Sequence, residues 1–204
     1  MRDEKPAGRP KDPERRHRIL RAARALFLRD GFDGTSVEAI AREAGVSKVT
    51  VYGHFGTLSA LLEAVVETEA RAINRALSAH PISEGPPETR LTDFGLYLMA
   101  LLRRHDAHEL EHLVSARARD QPNLPQTYFR SGPARGMKMI ADLLRPDLGD
   151  RAQEAASALF ALWSGGEQHR ASLGLRAPLT DEEMARHVRQ SVGIVRKAFF
   201  SPSE

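Results

Sequence analysis

Apolar and polar positions along this 204-residue chain alternate almost everywhere with the period of a helix. Ile19, Ala22, Ala23, Leu26 and Phe27 recur at i, i+3 and i+4, which predicts a first helix over 13–29 with one apolar stripe. Pro13 suits an early helical position, where its missing N–H costs nothing, and Asp30-Gly31 reads as the stop. Val37, Ile40, Ala41 and Ala44 make a second, short stripe, opened by either Thr35 or Ser36, with Thr35 and Glu38 spaced as a capping box. After Ala44-Gly45-Val46 comes a third segment in which only Val51 and Phe55 hold core spacing. Ser47, Lys48, Thr50, Tyr52 and His54 are left pointing outward from it.

A fourth helix is predicted from about Thr57 to Ser78, lined by Leu58, Leu61, Leu62, Val65, Val66, Ile73 and Leu77. His80-Pro81 through Pro86-Pro87 breaks the pattern. Further helices read as 88–104, 107–119, 123–145, 150–172 and 181–200, with Gly132-Pro133 kinking or splitting the third and Thr180-x-x-Glu183 capping the last. No run alternates with the period of a strand. The expected architecture is all-α, with about nine helices. It comprises a flexible basic arm over 1–12, a three-helix N-terminal headpiece over 13–56, and a C-terminal helical domain over 57–204.

Two short helices around a tight turn, the second with a thin buried seam and a donor-rich outer face, form the helix-turn-helix layout, in which the second helix enters the major groove. Charge supports this placement. Net charge is only +3, yet residues 1–55 hold 12 Lys and Arg against 8 Asp and Glu. The remainder holds 18 against 19, so the positive surplus accompanies the proposed reader helix, where phosphates would be met. Cysteine is absent, which excludes disulfides and thiolate metal sites. No apolar run approaches the length of a membrane span, and the N-terminus lacks the apolar core of a signal peptide, so a cytoplasmic protein with no membrane partner is expected.

The segment over about 13–66 resembles the TetR family of bacterial transcriptional regulators. Ala22-Ala23, Leu26-Phe27, Gly31-Phe32, Thr35-Ser36-Val37, Ile40-Ala41, Ala44-Gly45-Val46-Ser47-Lys48, Thr50-Val51-Tyr52 and His54-Phe55 carry the likeness. The second half is similar, more weakly, to the AefR/AcrR-like branch through Arg119-Asp120-Gln121-Pro122, Tyr128-Phe129, Gly132-Pro133-Ala134-Arg135 and Trp163 with Gly165-Gly166. The resemblance implies a homodimer that binds a palindromic double-stranded DNA operator and is released by a small-molecule effector. It implies headpiece-core roles for Val46, Val51 and Phe55. Thr50, Tyr52 and Ser36 would hold phosphates, which set register without reading sequence, and Ser47 would also lie at the DNA. Lys48, Val49, Gly53 and His54 would approach base edges, Lys48 donating to guanine and Val49 packing on a thymine methyl.

Two positions depart from the family's pattern. Leu58 stands where a Lys often anchors a phosphate, leaving Thr57 or the helix N-terminus to substitute. Gly53 sits mid-helix at a cost of about 1 kcal/mol relative to Ala. Glu38 lies near the DNA face and either accepts from cytosine or faces solvent. In the arm, Gly8-Arg9-Pro10-Lys11 resembles segments that place an Arg in a narrow minor groove; a basic tail adding nonspecific affinity is the equal alternative.

Elsewhere the candidates are weaker. Phe94, Leu98, Leu102, His112, Leu113, Tyr128, Phe129 and Gln168 have the mix of apolar walls and few polar groups that lines small-molecule pockets, and that also fills ordinary helical cores. Leu159, Phe160, Trp163, Val188, Val192, Val195 and Phe199 form wide stripes on the last two helices that suit either a core or a self-association face. His105, His108 and His112 share a helix face, but metal binding is the lesser reading beside pocket-lining or solvated histidines. His169, near Trp163 in sequence, is read by default as packing. No catalytic motif and no cofactor site is present, so an enzyme is the remote alternative. The nearer alternative is a DNA-binding regulator whose C-terminal domain serves only as a dimer or protein-partner scaffold.

Overall fold

The computed structural model describes residues 13–166, 170, 173–175 and 177–200. Among these residues all regular structure is helical: α1 (Pro13–Asp30), α2 (Val37–Ala44), α3 (Lys48–Phe55), α4 (Leu58–Ala79), α5 (Pro87–Arg104), α6 (Ala107–Arg117), α7 (Asn123–Ser131), α8 (Pro133–Leu148), a short 3-10 turn (Gly149–Arg151), α9 (Ala152–Ser164) and α10 (Asp181–Phe199). No single described helix is long and apolar enough to cross a membrane. The Arg9 arm, Gln168 and His169 lie outside the described residues.

The chain divides into two compact units between Val66 and Glu67, inside α4. The expected boundary lies at 56/57; the first unit also takes in the opening turns of α4, where Leu61, Leu62, Val65 and Val66 are buried. In that unit α1 packs on α2 and α2 on α3. The α1 stripe is buried as its spacing predicts, with Leu20 added to it, and Phe27 stacks on Phe32 with ring centroids 5.8 Å apart. Ser36, not Thr35, caps α2: its side chain accepts from the Ala39 N–H at 3.1 Å. Thr35 is buried and donates instead to the Gly31 carbonyl at 2.7 Å. Gly45, at φ 63°, takes the left-handed conformation that ends α2, and the Val46 N–H reaches back to the Ala41 carbonyl at 3.0 Å. That turn sets the direction in which α3 departs.

In the second unit α8 packs on α9, and α10 packs on α5 and α9. Phe94, Leu98, Met99, Ile140, Leu144, Leu159, Trp163, Val188, Val192 and Val195 meet in one core. Gly95 permits the closest approach in it, since a Cβ there would lie 2.5 Å from Trp163 Cζ2. The predicted helix over 123–145 is two helices, divided at Gly132 where Pro133 starts α8. The predicted 150–172 helix ends early: α9 stops at Ser164, followed by Gly165 and by Gly166 at φ 58°. Thr180 and Glu183 form the reciprocal capping box at the start of α10.

The self-association stripe requires correction. Leu159, Trp163, Val188, Val192 and Val195 are each 1% exposed or less within the single chain. Facing helices of the same unit already cover them, so they have no surface left to offer a second copy. Phe160 and Phe199 are half-buried at the edge of that core.

Candidate nucleic-acid interface

Helix α3 is held by its ends more than by its side chains. Ser47 caps it, accepting from the Thr50 N–H at 3.2 Å, with the Thr50 hydroxyl 2.8 Å from the Ser47 oxygen. At the other end the Gly56 N–H donates to the Tyr52 carbonyl at 2.8 Å. Val51 is its one buried residue. A helix that needs so little inward surface leaves most of its circumference outward.

Lys48, Val49, Tyr52 and Gly53 are exposed, Val49 at 80% and Tyr52 at 47%. A valine that open contributes little to packing within the chain and leaves its methyls available on this face. Gly53 has nothing within 4 Å of where a Cβ would sit, so the space beside it is open. Two residues expected on this outward face are turned partly inward. Thr50 is half-buried over the Ser47 cap, and His54 is half-buried with its ring 6.0 Å from that of Phe55. Phe55 and Val46, expected in the headpiece core, are half-buried as well. The Arg16 guanidinium of α1 lies 5.3 Å from the Phe55 ring centre, so the end of α3 is steadied by a cation–π contact instead of full burial.

The Lys48 ammonium pairs with the Glu38 carboxylate of α2. Hydrogen bonding and charge between the two hold the Glu38 carboxyl below its ordinary range and the Lys48 ammonium above its own. Both side chains are half-exposed. Such a pair adds little to stability, but it fixes where Lys48 points and supplies a competitor for any base acceptor. Sequence reasoning named both residues and missed the pairing, because ten positions across a turn is not a spacing that helix periodicity reports. The Arg16–Phe55 contact was missed for the same reason.

Ser36, Ser47 and Thr57 share a position at helix N-termini, Thr57 accepting from the Ala60 N–H at 3.0 Å. An accepting cap hydroxyl keeps its own O–H to donate, and helix N-terminal amides favour anions. Leu58, half-buried in the first turn of α4, brings no charge to that end.

In the second unit the expected pocket residues differ in exposure, and Phe94 and Leu98 belong to one core cluster with Leu102 packed against it. Phe94 and Leu98 are buried in the core; Leu102 and Leu113 are half-buried; His112 and Phe129 are exposed. Tyr128 is half-buried, and burial together with the nearby Glu111 carboxylate pushes its phenol above the usual range. The histidines of α6 and its approach serve separate carboxylates: His105 Nδ1 lies 2.9 Å from Glu69, and His108 Nδ1 lies 3.8 Å from Glu111. A cleft of about 650 Å³ opens elsewhere in this unit, lined by Thr68, Arg71, Asn74, Arg75, Ser78, Ala79 and Arg135.

Residues 19–65 match the family of bacterial regulatory proteins called tetR, and residues 89–199 match the C-terminal domain of AefR-like transcriptional repressors. The HTH-type transcriptional regulator UidR of Escherichia coli K12 is 39% identical over 61 residues, 29% of this chain and 31% of UidR. HbdR of Aromatoleum sp. CIB is 39% identical over 75 residues, 34% of this chain and 33% of HbdR. The chain thus matches about a third of the length of these curated relatives. Likeness to solved structures extends much further. A TetR-family regulator from Mesorhizobium loti MAFF303099 superposes with a TM-score of 0.80 at 28% identity, covering 94% of this chain and 98% of that one. The flavonoid-responsive regulator FrrA gives 0.72 at 28% identity, covering 92% and 97%. These relatives are regulators, and regulators of this kind bind DNA operators as dimers. The chain belongs to the TetR family of bacterial DNA-binding transcriptional regulators, with a C-terminal domain of the AefR-like type.

Proposed function

We propose that this protein is a repressor that binds a palindromic operator as a homodimer and leaves it when a small apolar or amphipathic molecule enters the C-terminal unit. The observation that carries the DNA-binding part is the outward face of α3, where Lys48, Val49, Tyr52 and Gly53 stand exposed on a helix with one buried residue. Tyr52, Ser36, Ser47 and Thr57 hold phosphates, and Lys48 and Val49 read bases. Thr50 and His54, partly turned inward, support the edges of that face.

The release mechanism is a population shift. Helix α4 runs unbroken from the headpiece unit into the C-terminal unit. An effector that favours one setting of α4 changes the separation of the two reader helices, whose half-sites lie about 34 Å apart. It acts only through tighter binding to the DNA-incompetent state. FrrA, similar over nearly the whole chain, is flavonoid-responsive, which supports an effector role for this domain. The full burial of Phe94 and Leu98 favours a second reading, in which the C-terminal unit is a scaffold for dimer or partner contacts.

Binding curves on cognate and scrambled duplexes test the DNA face. Tyr52→Phe weakens both duplexes alike, by the several-fold that one hydrogen bond of about 1 kcal/mol represents. Lys48→Ala narrows the gap between them; equal losses on both would remove Lys48 from base readout. Operator affinity unchanged across a panel of saturating small molecules would leave the scaffold reading standing and end the release mechanism.

A further inference from the structure

The cleft in the second unit has a composition that the expected pocket lacks. Its α4 wall presents Thr68, Arg71, Asn74, Arg75 and Ser78, all on one helix face, and Arg135 in the first turn of α8 completes it. The lining holds three guanidiniums and no carboxylate. Arg71 is engaged by Glu67 at 2.9 Å. Among the described residues no ion pair reaches Arg75 or Arg135, and both are exposed.

The floor of the cleft is fixed. Asn74 is buried, and its Nδ2 donates to the Ser131 carbonyl at 2.6 Å, tying α4 to the break between α7 and α8. Gly132 and Pro133 begin α8 there without a side-chain cap. With Arg71 held by Glu67, Arg75 and Arg135 are the two cations left to face an anion, and guanidinium forks match the planar geometry of carboxylates and the oxygens of phosphates.

We propose that this cleft binds a small organic anion, and that the effector carries a carboxylate or phosphate clamped between Arg75 of α4 and Arg135 of α8, with Asn74 and Ser78 as neutral donors. The inference rests on the effector-responsive reading given above and names its ligand class. The anion draws together the far half of α4 and the first turn of α8, so it acts on the helix that continues into the headpiece unit. The Ala79 methyl and the aliphatic stems of the arginines give the same wall an apolar portion, against which the uncharged remainder of the ligand packs.

The test uses the full chain, sodium benzoate, its neutral amide benzamide, inorganic phosphate, and sodium chloride at matched ionic strength. Benzoate and phosphate are expected to raise Tm above the chloride control, while benzamide does not. In Arg75→Ala and Arg135→Ala, calorimetric affinity for benzoate falls about tenfold or more for each arginine, and operator affinity without ligand stays at wild type. A Tm rise that chloride matches, or that survives in both variants, overturns the site. So does a uniform loss of affinity for cognate and scrambled duplexes in the ligand-free variants, which would make these arginines DNA-phosphate contacts. Arginine-dependent benzoate binding that leaves operator affinity untouched upholds the anion site and overturns its effector role. Release by a neutral molecule that proceeds unchanged in both variants upholds the effector reading and overturns this site.

Discussion

Helix α3 buries one side chain of its eight residues, whereas α10 buries five across nineteen. The first is kept in shape by the Ser47 cap, the Gly56 closure and Val51; the second by a continuous stripe of Met184, Val188, Ser191, Val192 and Val195. Two glycines show the same contrast at a single position. Gly53 of α3 looks onto open space, while Gly95 of α5 lies against the Trp163 indole. A helix stabilised at its ends keeps its sides for a partner. A helix stabilised along its side has spent that side on its own chain, and whatever it contributes to function must come from its other faces.

The largest expected effect lies on the packed side of this contrast. Trp163→Ala removes a fully buried indole and should lower unfolding free energy by about 3–5 kcal/mol, read from urea denaturation; a loss below 1 kcal/mol would mean that the core collapses into the space. Next come the two glycines as a matched pair. Gly95→Ala forces a methyl into Trp163 and should cost about 1–3 kcal/mol. Gly53→Ala should raise headpiece stability by up to about 1 kcal/mol, as alanine does in an open helix interior. Thermal melts of both variants check the sign, and the contrast breaks if both shift the same way. The smallest effect is at the Glu38–Lys48 pair. Glu38→Gln removes a negative charge from the DNA face and frees Lys48, so duplex binding should tighten and the salt dependence steepen by about one charge. Weaker binding in that variant would show that Glu38 positions Lys48 for the groove and does not compete with it.

Much of the DNA face was legible because its signals are local. A cap hydroxyl, a left-handed glycine and an i, i+3, i+4 stripe act within a few residues, so the Gly45 turn and the α1 stripe are where the sequence puts them, and the α2 cap falls on Ser36, one of its two candidates. The inward turn of Thr50 and His54 was not legible, because an eight-residue helix has too few core positions to define its facing to within one residue. The C-terminal stripes were legible as apolar and illegible as to partner. Periodicity marks Leu159, Val188 and Val192 as needing cover; it does not say whether α5 or a second chain supplies it. The arginine cleft was invisible for a related reason, since Arg71 and Arg75 read as a solvated helix face until Arg135 is set opposite them.

The sequence alone determined an all-helical chain, a helix-turn-helix with a sparsely buried second helix, and a positive surplus confined to the first quarter. Those properties depend on backbone preference, spacing and charge, which each residue carries wherever the chain goes. Tertiary structure alone decided that Lys48 faces Glu38, that Trp163 is spent against Gly95, and that Arg75 and Arg135 share one cleft. Each of these joins residues on different helices, and their meeting is set by helix packing angles that no local pattern encodes.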